Sequence, residues 1–220
     1  GVFKVSNPDS RAKARRQMVK NQLVLRGIRS EAVLQSMLAV PRHCFVPAEL
    51  QDYAYHDWPL PIGEEQTISQ PYIVALMAQA LEPSPGDRVL EIGTGSGYAA
   101  AVLAQLVSMV YTIERHASLT VKARSLFQAL KYGNIIARVG DGTKGWSEEA
   151  PFEGIVVSAG APVIPKSLYS QLKPGGRLII PTGDRQCQEL IRVRRCKDGG
   201  FSEEKLGEVL FVPLVGEEGW

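Results

Sequence analysis

RVLEIGTGSGY, residues 88–98, decides how this 220-residue chain folds. Val89, Leu90 and Ile92 make a short apolar run with β-branched members. Gly93, Gly95 and Gly97 follow at every second position, and an alanine-rich segment begins at Ala99. The pattern predicts a buried strand, a glycine-rich turn and a helix, the first half of a βαβ unit. Glycines in such a turn adopt backbone angles that other residues avoid and let a ligand rest near the helix N-terminus. A tight turn with no ligand would use the same residues.

Two nucleotide signatures do not fit. The dinucleotide fingerprint G-x-G-x-x-G requires glycine where Tyr98 stands, and a P-loop requires a Gly-Lys-Ser/Thr that is absent here. Glu91 followed by G-x-G-x-G instead resembles motif I of the class I S-adenosylmethionine-dependent methyltransferases. That resemblance implies cofactor contacts at Glu91, Gly93, Thr94, Gly95, Ser96 and Gly97.

Moving outward, residues 110–113 form a second β-rich run that ends at Glu114, 21 positions beyond Gly93. An acid about 20 residues after the first glycine is placed to accept hydrogen bonds from a ribose diol. An acid that merely opens the next helix would also be favoured there by the helix dipole. Alternation then continues with a helix over 117–130, a strand over 135–139 ending in Gly140-Asp141-Gly142, and a strand over 154–158. A helix from Lys166 and a strand over 177–181 come next. The runs 189–196 and 207–214 close the chain as a hairpin around Asp198-Gly199-Gly200. The fold expected is α/β: a doubly wound, mostly parallel Rossmann-like methyltransferase sheet with an antiparallel C-terminal strand and an N-terminal helical extension. Ligands in such sheets bind beyond the carboxyl ends of the strands. Gly93–Gly97, Glu114, Asp141, Gly142 and residues 159–162 should therefore share one crevice. Asp141 suits an adenine amino group; an ordinary Asp-Gly turn explains it equally well.

The chain is long enough for one substantial core, 45% of it being hydrophobic, so a single domain over 1–220 is expected. Residues 1–82 would form a helical and irregular extension, and 83–220 the cofactor-binding core. A net charge of +2 gives no electrostatic case for nucleic acid. Cys44, Cys187 and Cys196 cannot all pair with one another and suit a reducing compartment. No apolar run reaches the roughly 20 residues of a membrane span, and no signal-peptide h-region is visible near the start, although Gly1 is compatible with trimming. A cytoplasmic monomer is expected, with no metal: His43, His56 and His116 have no ligand-spaced partners.

Before the glycine turn, helices are expected over 11–26, with Gly27 as the stop, and from a Ser30 cap to Val40. Residues 41–66, rich in proline and aromatics, read as irregular. His56-Asp57 within them is a candidate base and orienter, with ordinary loop packing as the alternative. TISQPY (67–72) then opens a helix, with Ser69 or Gln70 near the N-cap and Pro71 at its first position. Spacing alone leaves Ser69 a capping residue.

TISQPY, VLEIGTGSGY (89–98), GDG-x-x-G-W (140–146) and FVPLV (211–215) occur together and in this order. The set resembles the bacterial protein-L-isoaspartate O-methyltransferase family, over nearly the whole chain from VPRHCFVP (40–47) onward. The resemblance implies methyl transfer from S-adenosyl-L-methionine, leaving S-adenosyl-L-homocysteine. The acceptor would be the free carboxylate of L-isoaspartyl and D-aspartyl residues in damaged peptides and proteins, followed by collapse to a succinimide. It also implies that Ser69 is catalytic, and that Glu114, Asp141 and Gly142 touch the cofactor. Thr67, Ile68, Gln70, Pro71 and Val212 would contact substrate. One departure is visible: Glu65 in GEEQTIS stands where the family usually has glycine. A carboxylate is already ionised at neutral pH, so the absence of an obvious general base suits this chemistry.

Overall fold

The computed structural model describes residues 4–220, so the first three residues of the expected extension lie outside the described residues. The chain begins with α1 (Ala12–Met18), which widens into a π-helical turn over Val19–Val24. The single helix expected over 11–26 is thus two helical forms in series. Ser30 caps α2 (Glu31–Ala39), its Oγ accepting from the Val33 N–H at 3.3 Å. The helix stops at Val40, whose extended backbone is what a following proline imposes.

Residues 41–66 are more ordered than their composition predicts. Two 3₁₀ turns (Arg42–Phe45 and Ala48–Tyr53) lead into β1 (Leu60–Gly63) and β2 (Gln66–Ile68), an antiparallel hairpin in which Leu60 faces Ile68. Its two-residue turn, Glu64-Glu65, has φ of +53° and +57°. Tight hairpins need left-handed backbone at both turn positions, and this is where glycine is favoured. The departure at Glu65 therefore falls on a strained position. Glu64 anchors the tip, its Oε1 accepting from Ser118 Oγ at 2.7 Å.

Then come α3 (Pro71–Ala80), β3 (Arg88–Ile92), α4 (Tyr98–Ala104), β4 (Met109–Glu114), α5 (Ala117–Ala129), β5 (Ile135–Val139), β6 (Phe152–Val157), α6 (Lys166–Ser170), β7 (Leu172–Gly183), β8 (Gln188–Arg195) and β9 (Phe201–Val209). The sheet order is β5-β4-β3-β6-β7-β8-β9. The first five strands run parallel; β8 pairs antiparallel with β7, and β9 antiparallel with β8, so the parallel sheet ends in the expected antiparallel C-terminal hairpin. Connections leave β3 in one direction and β6 in the other, so the switch point lies between those two strands, where the fold opens a crevice.

The expected last strand over 207–214 is displaced. β9 spans Phe201–Val209, an edge strand exposed along most of its length that shows no apolar alternation. The apolar run 211–215 leaves the sheet edge and docks on the loop after β6, Pro213 bridging to Gly160. One contiguous apolar cluster joins the N-terminal helices (Met18, Leu23, Met37) to one face of the sheet (Val89, Val110, Val156). A second fills the opposite face around Leu90, Ile113 and Phe152.

Candidate active site

Backbone hydrogen bonds build the floor of the crevice. Gly93 N–H donates to the Ile113 carbonyl at 2.8 Å and Gly97 N–H to that of Thr94 at 2.8 Å. Gly93, Gly95 and Gly97 all have positive φ, of 93°, 52° and 90°. At Gly97 a Cβ would also meet the Phe127 ring at 2.8 Å, so the turn excludes side chains both conformationally and sterically.

Glu114 closes this floor at the end of β4. It is only 5% exposed. Its Oε1 accepts from Gly95 N–H at 3.0 Å and its Oε2 from His116 N–H at 2.9 Å. Two backbone donors thus fix the carboxylate, and each oxygen keeps a second lone pair for a further donor. Glu114 also lines the crevice with Gly93, Thr94, Gly95, Ser96 and Gly142.

Glu91 is elsewhere. It is fully buried beneath the turn, where a hydroxyl chain runs from Thr94 Oγ1 to Thr112 Oγ1 (2.6 Å) and on to Glu91 Oε1 (2.6 Å). Oε2 has no partner among the described residues. Burial pushes this carboxyl up to about 8 against the Thr112 hydrogen bond, and negative Glu114 adds to the rise. The expectation that Glu91 meets the cofactor directly is corrected: it supports Thr94 from below and does not line the crevice. Gly97 likewise serves the turn and the α4–α5 packing.

Asp141 follows β5 and opens a 3₁₀ turn over Gly142–Lys144. Its Oδ1 accepts from Thr143 N–H (2.9 Å) and Oγ1 (2.7 Å), and its Oδ2 accepts from Glu217 N–H at 2.9 Å. The carboxylate faces the C-terminal residues, and only its neighbour Gly142 lines the crevice. A Cβ at Gly142 would strike Ile92 Cγ2 at 2.4 Å, which ties the backbone there closely to β3.

Opposite the glycine turn, β2 delivers Gln66, Thr67, Ile68 and Ser69 to the crevice wall. The N-cap of α3 is Gln70, which makes no side-chain cap bond, and Pro71 takes the first helical position. Among the described residues Ser69 Oγ makes no hydrogen bond, so capping does not explain it. Gln70 and Pro71 do not line the crevice: Gln70 Nε2 donates to Asp57 Oδ1 at 2.7 Å, and Pro71 is buried. Asp57 also holds Arg26 at 2.9 Å, while His56 lies edge-on to Trp58. The base-and-orienter pair suggested by His56-Asp57 does not form.

The third wall is 212–215. Val212, Pro213, Leu214 and Val215 all line the crevice, held by Gly160 N–H donating to the Val212 carbonyl and Leu214 N–H to the Gly160 carbonyl, each at 2.8 Å. Local patterning missed several contributors, among them the α3 face of Val74, Met77 and Ala78, the α4 face of Ala99 and Val102, Arg115 beside Glu114, and Ser158 after β6. The helical spacing of Val74, Met77 and Ala78 was the one available signal, and it reads first as core.

A doubly wound sheet, a glycine turn, a backbone-held acid one strand over and a crevice at the switch point define a nucleoside-binding transferase of the methyltransferase class. Comparison with known proteins narrows this. The sequence profile of the protein-L-isoaspartate(D-aspartate) O-methyltransferase family matches residues 13–219. The chain is 67% identical over 217 residues to the protein-L-isoaspartate O-methyltransferase of Pelotomaculum thermopropionicum, covering 99% of this chain and 95% of that one. With the Petrotoga mobilis protein of the same name it shares 55% over 209 residues, 94% and 98% of the two chains. A solved protein-L-isoaspartate O-methyltransferase superposes with TM-score 0.84 at 30% identity, over 93% of this chain and 67% of that one. A Plasmodium falciparum structure described under the same activity, in complex with S-adenosyl-L-homocysteine, gives 0.78 at 27%, over 91% and 98%.

The chain belongs to the protein-L-isoaspartate(D-aspartate) O-methyltransferase family. It uses S-adenosyl-L-methionine to methylate isoaspartyl carboxylates in proteins and so initiates their repair. The crevice fits that cofactor: Glu114 retains acceptor capacity for a diol, and Ile92, Ile113 and Val102 offer apolar walls to a nucleoside.

Proposed function

We propose that methyl transfer takes place between the glycine turn and Ser69, with each wall of the crevice holding one reactant. S-adenosylmethionine, when bound, supplies an electrophilic methyl group on a positively charged sulfur. Gly93, Thr94, Gly95 and Ser96 form its cradle, Glu114 accepts from its diol, and Gly142 lets it approach the backbone. Glu91 and Asp141 act one step back, Glu91 through the Thr112–Thr94 hydroxyls and Asp141 by holding the 142–144 turn.

Ser69 donates a hydrogen bond to one oxygen of the isoaspartyl carboxylate, and the other oxygen attacks. The carboxylate has a pKa of about 4, so no base is needed, and the protein's task is orientation and exclusion of water. Thr67 and Ile68 form the near wall of the acceptor site and Val212 the far one. The Val212–Val215 main chain suits an extended substrate, because an enzyme acting on many sequences gains from backbone contacts. The side-chain carboxylate of a D-aspartyl residue presents the same group and enters the same site. The chain works as one domain, its N-terminal extension sharing a core with the sheet.

One observation carries this reading. Ser69 lines the same crevice as Glu114 and the glycine turn, and among the described residues no structural hydrogen bond claims its hydroxyl. Ser69→Ala should lower kcat by one to three orders of magnitude on an isoaspartyl peptide, the scale of losing a positioning contact. Ser69→Asp, which removes the donor and adds a repelling charge, should be nearly inactive. Both should fold and bind S-adenosylhomocysteine as the parent does in calorimetry. Wild-type turnover by the Asp variant would refute the assignment.

A further inference from the structure

Beside the crevice lies a surface that methyl transfer itself does not use. Tyr53, His56 and Trp58 stack edge to face on the segment leading into β1, with ring centroids 5.6 Å and 4.6 Å apart. Tyr53 and Trp58 are 47% and 48% exposed, although rings of that size carry large apolar areas that folding normally covers. The charges bordering them are paired within the protein, Arg11 with Asp52 at 2.8 Å and Arg26 with Asp57 at 2.9 Å. The ladder is therefore apolar and locally neutral.

His56 also lines a groove of about 240 Å³ between α1, its π-helical extension and residues 51–56. Four amide side chains, Gln17, Asn21, Gln22 and Gln51, line this groove. Gln22 Nε2 donates to the Tyr55 carbonyl at 2.7 Å and Gln51 Nε2 to Ser6 Oγ at 2.5 Å, whereas Gln17 and Asn21 are exposed and make no hydrogen bond among the described residues. Amide side chains offer both partners that a peptide backbone requires. The segment 56–60 links the groove to the crevice: His56 lines the groove, Asp57 accepts from Gln70, the neighbour of Ser69, and Leu60 pairs with Ile68 of the crevice wall.

We propose that this track docks the polypeptide flanking the isoaspartyl residue. Amide side chains of the groove hydrogen-bond its backbone, and the Tyr53–His56–Trp58 ladder covers its apolar side chains. A damaged residue lies within a chain, so one flank must leave the crevice over the surface next to Ser69. The proposal rests on the assignment of that crevice as the site of reaction. Recognition through backbone and unspecialised aromatic contact selects unfolded, apolar segments without reading a sequence.

Kinetics on two probes test it: an isoaspartyl hexapeptide that fills only the crevice, and an isoaspartyl peptide of about twenty residues with apolar side chains on both flanks. For the parent chain, KM for the long probe should be about five- to twenty-fold below that for the hexapeptide, the range expected when an exposed aromatic anchor becomes covered. Trp58→Ala and Asn21→Leu should each lose most of that difference, and Trp58→Phe should keep most of it. Hexapeptide kcat and S-adenosylhomocysteine affinity should remain those of the parent. Equal KM values for the two probes in the parent, or a difference that survives in both Trp58→Ala and Asn21→Leu, would overturn the proposal. So would a concentration-dependent dimer that Trp58→Ala abolishes with no change in KM, since a second copy would then cover the ladder. Failure of the crevice assignment shows separately, as unchanged hexapeptide kcat in Ser69→Ala.

Discussion

The two ends of the crevice are built by different means. The cofactor end is made by one short stretch and its neighbour strand: the turn after β3, the acid ending β4, and backbone bonds between them. The end proposed for substrate combines a hairpin at 60–68 with a segment at 211–215, far apart in the chain, the latter held by backbone bonds to Gly160 in the loop after β6. A site made of backbone is rigid and can be read in a short motif. A site assembled from distant segments can vary in its surroundings, as the exposed Trp58 and strained Glu65 illustrate.

The largest effect that sharpens this contrast is expected at Glu114. Glu114→Ala removes the acceptor of the Gly95 and His116 N–H groups as well as the acceptor for the diol. Affinity for S-adenosylmethionine should fall by roughly 1.5–3 kcal/mol, the scale of hydrogen bonds to a charged group. Part of this should appear as lost stability, because two part-buried donors are orphaned. Titration calorimetry together with denaturant unfolding checks both parts. Unaltered affinity would remove Glu114 from the cofactor end.

A smaller effect tests the buried support of the turn. Glu91 has a folded-state value raised from the ordinary carboxyl range to about 8. The native state therefore holds a proton that the unfolded chain releases. Its contribution to stability is fully present below the unfolded value of about 4.3 and is lost as pH rises through about 8. Glu91→Gln cannot ionise, so its stability relative to the parent should improve between pH 5 and 8.5, by about 1–3 kcal/mol. Urea unfolding across that range is the measurement, and a constant difference would mean that Glu91 is ionised in the native protein.

The smallest effect belongs to the substrate end. Glu65 occupies left-handed backbone at φ +57°, which costs an L-residue about 1–2 kcal/mol. Glycine gives part of this back as unfolded-state entropy. Glu65→Gly should therefore raise stability by about 0.5–1 kcal/mol, or about 1–4 °C in Tm for a chain of this size. S-adenosylhomocysteine affinity should not change. An altered affinity would show that the hairpin tip is coupled to the cofactor end through Glu64 and Ser118.

Legibility divided along the same line. The turn, Glu114 and the parallel strands could be read because each depends on neighbours within about 20 residues. Ser69 was ambiguous for a local reason: a serine before a proline at a helix start is also what a cap looks like. The structure removes the capping reading by putting Gln70 at the cap and leaving the Ser69 hydroxyl free among the described residues. Asp141 and Glu91 both read as nucleoside ligands because acids near a glycine turn are natural ones. Their actual partners, Glu217 N–H and Thr112 Oγ1, sit 76 and 21 positions away. The hairpin at 60–68 was hidden by its Glu-Glu turn, which lacks the residues that normally mark left-handed backbone.

The sequence by itself determined the periodic part of this protein. Apolar runs set the strands of the parallel sheet, glycines set the turn, and the spacing to Glu114 set the acid that faces it. Those choices are governed by local sterics and hydrogen bonding, which act on a few consecutive residues. Only the tertiary structure decided which residues meet across the crevice. It brought residues 211–215 to Gly160 rather than into the sheet, turned Asp141 towards the C-terminal residues, and drew Gln70 away to Asp57. Such pairings follow from packing of segments far apart in the chain, where the loss of chain entropy on closing long loops is offset by burial that no short window of sequence contains.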